Sequence, residues 1–402
     1  MQRVLLILST LFALYACAPT LPHRPIEEKP AAPVTGVEKP LPDMTIIEMP
    51  APVTVTPEIT APAVIGEEHP VPHIALLLPL QSANFGASAG AVQQGFLAAA
   101  NLDQRALPVR AYGDFDENSS VVTVYRQAIA NGAIAVVGPL TRNGVAALAG
   151  VQDIPVPTLS LNMVETTPAQ NMYFFGMAVE TEARQVAQLA RKQELHQAII
   201  VTTRDQLSKR LQSAFEDEWG ISGGTILREI EFGNNSSIFA DITDMPGTVV
   251  FIAADAQKAR LIRPYLPNRL TIFGTSRVFA GNINTLLNYD LDGIRFVDMP
   301  WLLQADHPAV MIYPRATPPL SIDQERLYAL GIDAYRLIQL LLVNRLNTSL
   351  PLDGVSGQIR LNGHTFQRAA TPVWFVQGQA QPANAPVMPG VQMFPEQPVS
   401  AP

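Results

Sequence analysis

Residues able to do chemistry are few in this chain, and they are scattered. The six histidines stand at positions 23, 69, 73, 196, 307 and 364 with no His-Glu-x-x-His pairing. The single cysteine, Cys17, leaves neither an internal disulfide nor a paired-thiol metal site. No Walker-type lysine follows a glycine-rich loop. Ser160 lies in Leu159-Ser160-Leu161-Asn162 and not in the Gly-x-Ser-x-Gly turn that presents a nucleophile. This pattern points away from an enzyme and calls for no metal and no cofactor.

What remains is binding chemistry. Ser82, Asn84, Phe85, Thr141, Arg142, Ser160 and Asn162 follow or close apolar runs, where hydroxyls, amides, helix amino ends and one fixed charge can hold a carboxylate. The same residue types also cap helices and close turns whatever the function, so both readings stand.

Such loops need elements to position them. Ile74-Ala75-Leu76-Leu77-Leu78 is a continuous apolar run behind Pro70 and Pro72, short enough to be a strand buried on both faces. Val92, Phe96, Ala99 and Ala100 then recur at helical spacing, and Gly86 and Gly90 read as points of close helix packing on the sheet. Further strands are expected over 107–112, 133–137 and 157–161, with a helix capped by Asn118 or Ser119 between the first two. From about residue 179 the alternation starts again, with strands over 198–202, 225–232, 248–252, 270–273 and 293–297. Two such series imply an α/β protein of two lobes with parallel sheets. Ser321 and Gln324 have capping-box spacing, and Leu327, Leu330, Ala334, Leu337, Ile338 and Leu341 form one stripe behind them. Asn362-Gly363 marks a hairpin.

The two ends differ from the middle. Arg3, the apolar stretch 4–14 and the small Ala16 before Cys17 predict a lipoprotein signal over 1–16 with acylation of Cys17, and Ala18 after the cysteine resembles the pattern of sorting to outer-membrane lipid. Residues 17–72 are rich in proline and read as an extended tether that spans at most roughly 170 Å. A second proline-rich stretch, 379–402, reads as a disordered tail. The formal net charge of -8, without blocks of like charge, gives no footprint for nucleic acid.

Ile74-Ala-Leu-Leu-Leu-Pro-Leu80, Val137-Gly-Pro-Leu-Thr141 and Pro155-Val-Pro-Thr-Leu-Ser-Leu161 together resemble the type I periplasmic binding protein fold. That resemblance implies two Rossmann-like lobes joined by three hinge crossings, near 176–180, 298–302 and 350–355, with Gly176, Pro300 and Trp301 as hinge residues. Trp301 would lie at the hinge or fill the gap between lobes. The first lobe would comprise 73–178 and 300–350, the second 179–299 and 351–378.

A narrower resemblance rests on Phe273-Gly-Thr-Ser-Arg277, Asp292-Gly-Ile-Arg-Phe-Val-Asp-Met-Pro-Trp-Leu302, Arg326-Leu-Tyr-Ala-Leu-Gly-Ile-Asp-Ala-Tyr335 and Gly354-Val-Ser-Gly357. These are similar to the C-terminal domain of the penicillin-binding protein activator lipoproteins, the LpoA (LppC) family. The likeness implies a periplasm-facing outer-membrane lipoprotein whose partner is a class A bifunctional penicillin-binding protein. In that family a helical-repeat domain precedes this one, and here the proline-rich stretch occupies its place. The alternative is a tethered receptor that closes on an amino acid or muropeptide. Arg204, Lys209 and Arg210, or Arg345 and Arg360, are candidate docking charges that equally suit a solvated face.

Overall fold

The computed structural model describes residues 70–113, 120–233 and 235–383, which lie in one compact unit, 66–402. The signal, Cys17, the tether up to residue 69, the Asn118 and Ser119 caps and residues 384–402 fall outside the described residues. Fifteen strands are described. In chain order they are β1 (His73–Leu77), β2 (Val109–Tyr112), β3 (Ala133–Val137), β4 (Thr158–Ser160), β5 (Met172–Phe175), β6 (Gln197–Thr202), β7 (Thr225–Glu231), β8 (Thr248–Ala253), β9 (Thr271–Gly274), β10 (Ile294–Asp298), β11 (Leu352–Gly354), β12 (Gly357–Asn362), β13 (Thr365–Ala369), β14 (Thr371–Val376) and β15 (Gln379–Pro382).

They form two sheets. The first runs β11-β12-β13-β5-β4-β3-β1-β2 and the second β15-β14-β10-β9-β8-β6-β7. Reading from β2 and from β7, each lobe repeats the same parallel order of its first five strands, with the opening strand second from the edge. This is the doubly wound arrangement expected from the two βα series. Every residue of β1 is buried. Ile74 and Leu76 face one core layer, while Ala75 and Leu77 face the layer on the other side of the sheet. A fully buried aliphatic side chain contributes about 1.5–3 kcal/mol, so β1 anchors both layers of its lobe.

The helix Ile322–Leu342 begins with the expected capping box. Ser321 and Gln324 satisfy one another's backbone N–H groups, at 3.4 and 3.1 Å. Its buried stripe lies on the first lobe and crosses the helix Gly86–Ala100 at very short range. A Cβ on Gly95 would stand 1.9 Å from the Tyr328 carbonyl oxygen, and one on Gly331 2.1 Å from that of Val92. Gly90, expected at a close contact, faces open space, so the intimate packing falls on Gly95 instead.

The third crossing differs from the expected place. The resemblance places 351–378 in the second lobe, yet within that stretch β11, β12 and β13 extend the first sheet, with Thr365 and Phe366 opposite Phe174 and Phe175. The chain passes to the second sheet only at Ala370, between β13 and β14. Hairpin patterning identifies the hairpin but not the sheet edge it joins. The start of the expected tail is also ordered. Gln377 and Gly378 both have positive φ, 51° and 71°, and reverse the chain so that β15 pairs with β14.

Candidate functional site

The lobes meet at a cleft of about 480 Å³. From the first lobe, Phe85, Thr141, Arg142 and Asn162 line it, and from the second, Leu207 and Arg210, with Met177 and Ala178 at the first crossing. Four of the seven sequence-based candidates therefore come together. Thr141 spends its hydroxyl on the helix Arg142–Ala149, accepting from the Gly144 N–H at 3.1 Å. Asn162 donates to the Leu140 carbonyl at 3.0 Å and accepts from the Met163 N–H at 3.0 Å. Arg142 forms an ion pair with Glu180 at 3.1 Å.

The other three do not line it. Ser82 accepts from the Phe85 N–H at 3.2 Å within its own turn, and Asn84 is exposed. Ser160 is fully buried, and its hydroxyl has no hydrogen-bond partner among the described residues. Among the hinge candidates, Gly176 lies in the first crossing, and Pro300 opens the short helix Pro300–Leu303 directly after β10. Trp301 belongs to the first-lobe core. It stacks on Tyr328 at 5.3 Å, donates to Glu325 at 2.6 Å and carries the Arg315 guanidinium 3.8 Å above its ring. Of the docking candidates, Arg204 and Lys209 are both paired with Glu231.

Glu180 and a set of buried charges were not singled out as site residues. Glu180 sits in the first turn of the helix Val179–Lys192 and accepts from Arg142 of the first lobe and, at 2.8 Å, from Arg210 Nε of the second. Burial pulls its carboxyl upward, but its backbone N–H, Arg210 and Arg142 outweigh this and hold it below the ordinary value. A carboxyl lowered on folding stabilises the protein above its unfolded value of 4.5, and the benefit is lost as pH falls through the folded value. The melting difference between the parent and Glu180→Gln, on the order of 1 kcal/mol or less, is therefore expected near neutrality and should vanish in strong acid. Thermal melts across that range check it.

Deeper between the lobes runs a continuous polar chain. Arg326, on the helix Ile322–Leu342, grips Asp298 at the end of β10 through Nε and Nη2, at 3.2 and 2.7 Å. Its Nη2 also donates to the carbonyls of Ser276 and Phe279 of the second lobe, each at 3.1 Å. Burial opposes the charge on Arg326, but the Asp298 carboxylate outweighs it and keeps the guanidinium protonated. The Ser276 N–H donates to Glu182 at 3.1 Å, and Glu182 accepts from Arg368 of β13 at 2.9 Å. Arg368 donates to the Ser356 carbonyl, while Asp333 accepts from the Ser356 N–H and hydroxyl at 2.8 and 2.6 Å. Asp298, Arg326, Glu182, Arg368 and Asp333 are all buried. A lone carboxylate in an apolar run, as in Gly331-Ile332-Asp333-Ala334, was the available signal. Among the described residues no group of three or more His, Cys, Asp or Glu side chains gathers as a metal site needs.

Two doubly wound lobes, three crossings and an inter-lobe cleft define a protein of the type I periplasmic-binding-protein-like class. Residues 51–247 and 236–375 match the family described as "LppC putative lipoprotein", and the chain belongs to that family. Two relatives named "Penicillin-binding protein activator LpoA" are 26% identical over 328 residues, from Pectobacterium parmentieri, and 27% over 322 residues, from Pantoea ananatis. The matches cover 69% and 67% of this chain but 48% and 47% of the relatives, so the chain spans about half their length. Among solved structures, the Haemophilus influenzae LpoA C-domain, described as a regulator of PBP1A, superposes with a TM-score of 0.65 at 23% identity, covering 77% of this chain and 99% of that one. A Chromobacterium violaceum protein described as a "putative branched-chain amino acid ABC transporter" is 36% identical with a TM-score of 0.65, covering 76% of this chain and all of that one.

Proposed function

We propose that the protein is an outer-membrane lipoprotein, held by an acylated Cys17, that docks on a class A penicillin-binding protein and activates it, so regulating peptidoglycan synthesis without catalysis of its own. The supporting observations are the family match over 51–247 and 236–375 and the relatives named as activators, which cover about two thirds of this chain. The buried polar chain between the lobes suits this reading, because it favours one fixed lobe orientation and hence a constant docking surface. The test is glycan polymerisation and crosslinking by a purified class A synthase, with and without the full-length protein. Saturable, several-fold stimulation is expected. Absence of both stimulation and binding would overturn the reading.

A second reading is a tethered solute receptor. It draws on the cleft volume and on the likeness to the Chromobacterium violaceum protein. Ligand-induced thermal stabilisation together with inactivity in the synthase assay would select it.

A further inference from the structure

We propose that Glu180 acts as a built-in carboxylate ligand of the inter-lobe cleft, occupying the arginines that would otherwise bind a small free carboxylate. The inference is independent of the activator reading, since it concerns what the cleft itself can bind.

The geometry of the carboxylate is lopsided. Arg142 Nη2 at 3.1 Å, Arg210 Nε at 2.8 Å and Arg210 Nη2 at 2.5 Å all converge on Oε1 of Glu180. Oε2 is buried and has no hydrogen-bond partner among the described residues. Two guanidinium groups offer forked donors that suit a carboxylate using both oxygens. The short side chain at the start of a helix presents only one. A carboxylate arriving from the cleft can turn freely and engage both arginines with both oxygens.

The surroundings favour an anion. The first turns of the helices Gly86–Ala100, Arg142–Ala149, Val179–Lys192 and Gln206–Ile221 open onto the cleft, each bringing partial positive charge. No Asp or Glu appears among the described residues that line the volume, whereas Arg142 and Arg210 do. With Glu180 removed, nothing in that lining neutralises an ammonium group. The remaining wall, with Phe85, Leu140, Met177 and Leu327, is apolar. The ligand class is thus a small monocarboxylate with an apolar body and no amine. The volume falls within the usual range for small-molecule sites.

The test is calorimetric titration of the full-length protein with 4-methylpentanoate, with its neutral amide as control. Glu180→Ala is expected to bind the acid at least about tenfold more tightly than the parent, and added salt should weaken that binding. Glu180→Gln, which keeps the side-chain shape but not the charge, should gain in the same direction and covers the case in which Glu180→Ala folds poorly. Adding Arg142→Ala and Arg210→Ala to Glu180→Gln should abolish the gain. No gain in either Glu180 variant, equal binding of the amide, or a gain that survives loss of both arginines would overturn the proposal. These readouts involve no synthase, so failure here is distinct from failure of the activator reading.

Discussion

Replacing Arg326 by methionine is expected to destabilise the protein by about 3–5 kcal/mol, as measured by equilibrium denaturation. The substitution keeps an apolar stem of similar length but removes every donor. It leaves the fully buried Asp298 carboxylate without its forked partner and the Ser276 and Phe279 carbonyls without a guanidinium donor. Most of the loss should come from the orphaned charge and not from the absent attraction, because a desolvated ion pair contributes little net stability while a desolvated single ion is costly. Adding Asp298→Asn should therefore recover part of it. If Arg326→Met and the double variant are equally destabilised, the carboxylate is not the source of the cost. A loss below about 1 kcal/mol would mean that the lobes are not held by this contact.

Gly331→Ala is expected to cost about 3 kcal/mol, at the upper end for overpacking. The added Cβ would lie 2.1 Å from the Val92 carbonyl oxygen and 2.8 Å from the Phe96 nitrogen, both backbone atoms of the facing helix. No rotamer change relieves such a contact, so the helices Gly86–Ala100 and Ile322–Leu342 must part along their crossing. Gly95→Ala should behave alike, since its Cβ would meet the Tyr328 carbonyl oxygen at 1.9 Å. Gly90→Ala, on the same helix but facing open space, is the control. It should be neutral or stabilising by roughly 0.5–1 kcal/mol through helix propensity alone. Chemical denaturation of the three variants separates steric contact from propensity.

Helix and strand identities follow from patterns acting over a few residues. The apolar run at β1, the stripe behind Ser321 and the turn residues at the hairpins each name their element without outside help. Parallel pairing within each lobe follows as well, because strands that alternate with helices are joined by crossovers, whereas the strand order itself is seen only in the folded sheets. Thr141 could be read as a cap from its neighbours. Its hydroxyl is in fact taken by Gly144, and the cleft therefore owes more to Arg142 than to Thr141.

By itself, then, the sequence determined most of the elements, though not β15, together with the two-lobed class and the loops that carry the cleft, because propensity, periodicity and turn chemistry are local. Tertiary structure alone decided which sheet edge receives β11 to β13, that Gly95 and not Gly90 meets the neighbouring helix, and which charges are buried. The motif residues Ser276, Asp298, Arg326, Asp333 and Ser356 lie apart along the chain yet join in one polar chain between the lobes. Arg326 and Asp298 are separated by 28 positions, and Arg368 and Glu182 by 186. A charged side chain has the same local signature on a wet surface and in a dry interface. Its partner and its desolvation exist only after the lobes have packed, and those two quantities set its energy.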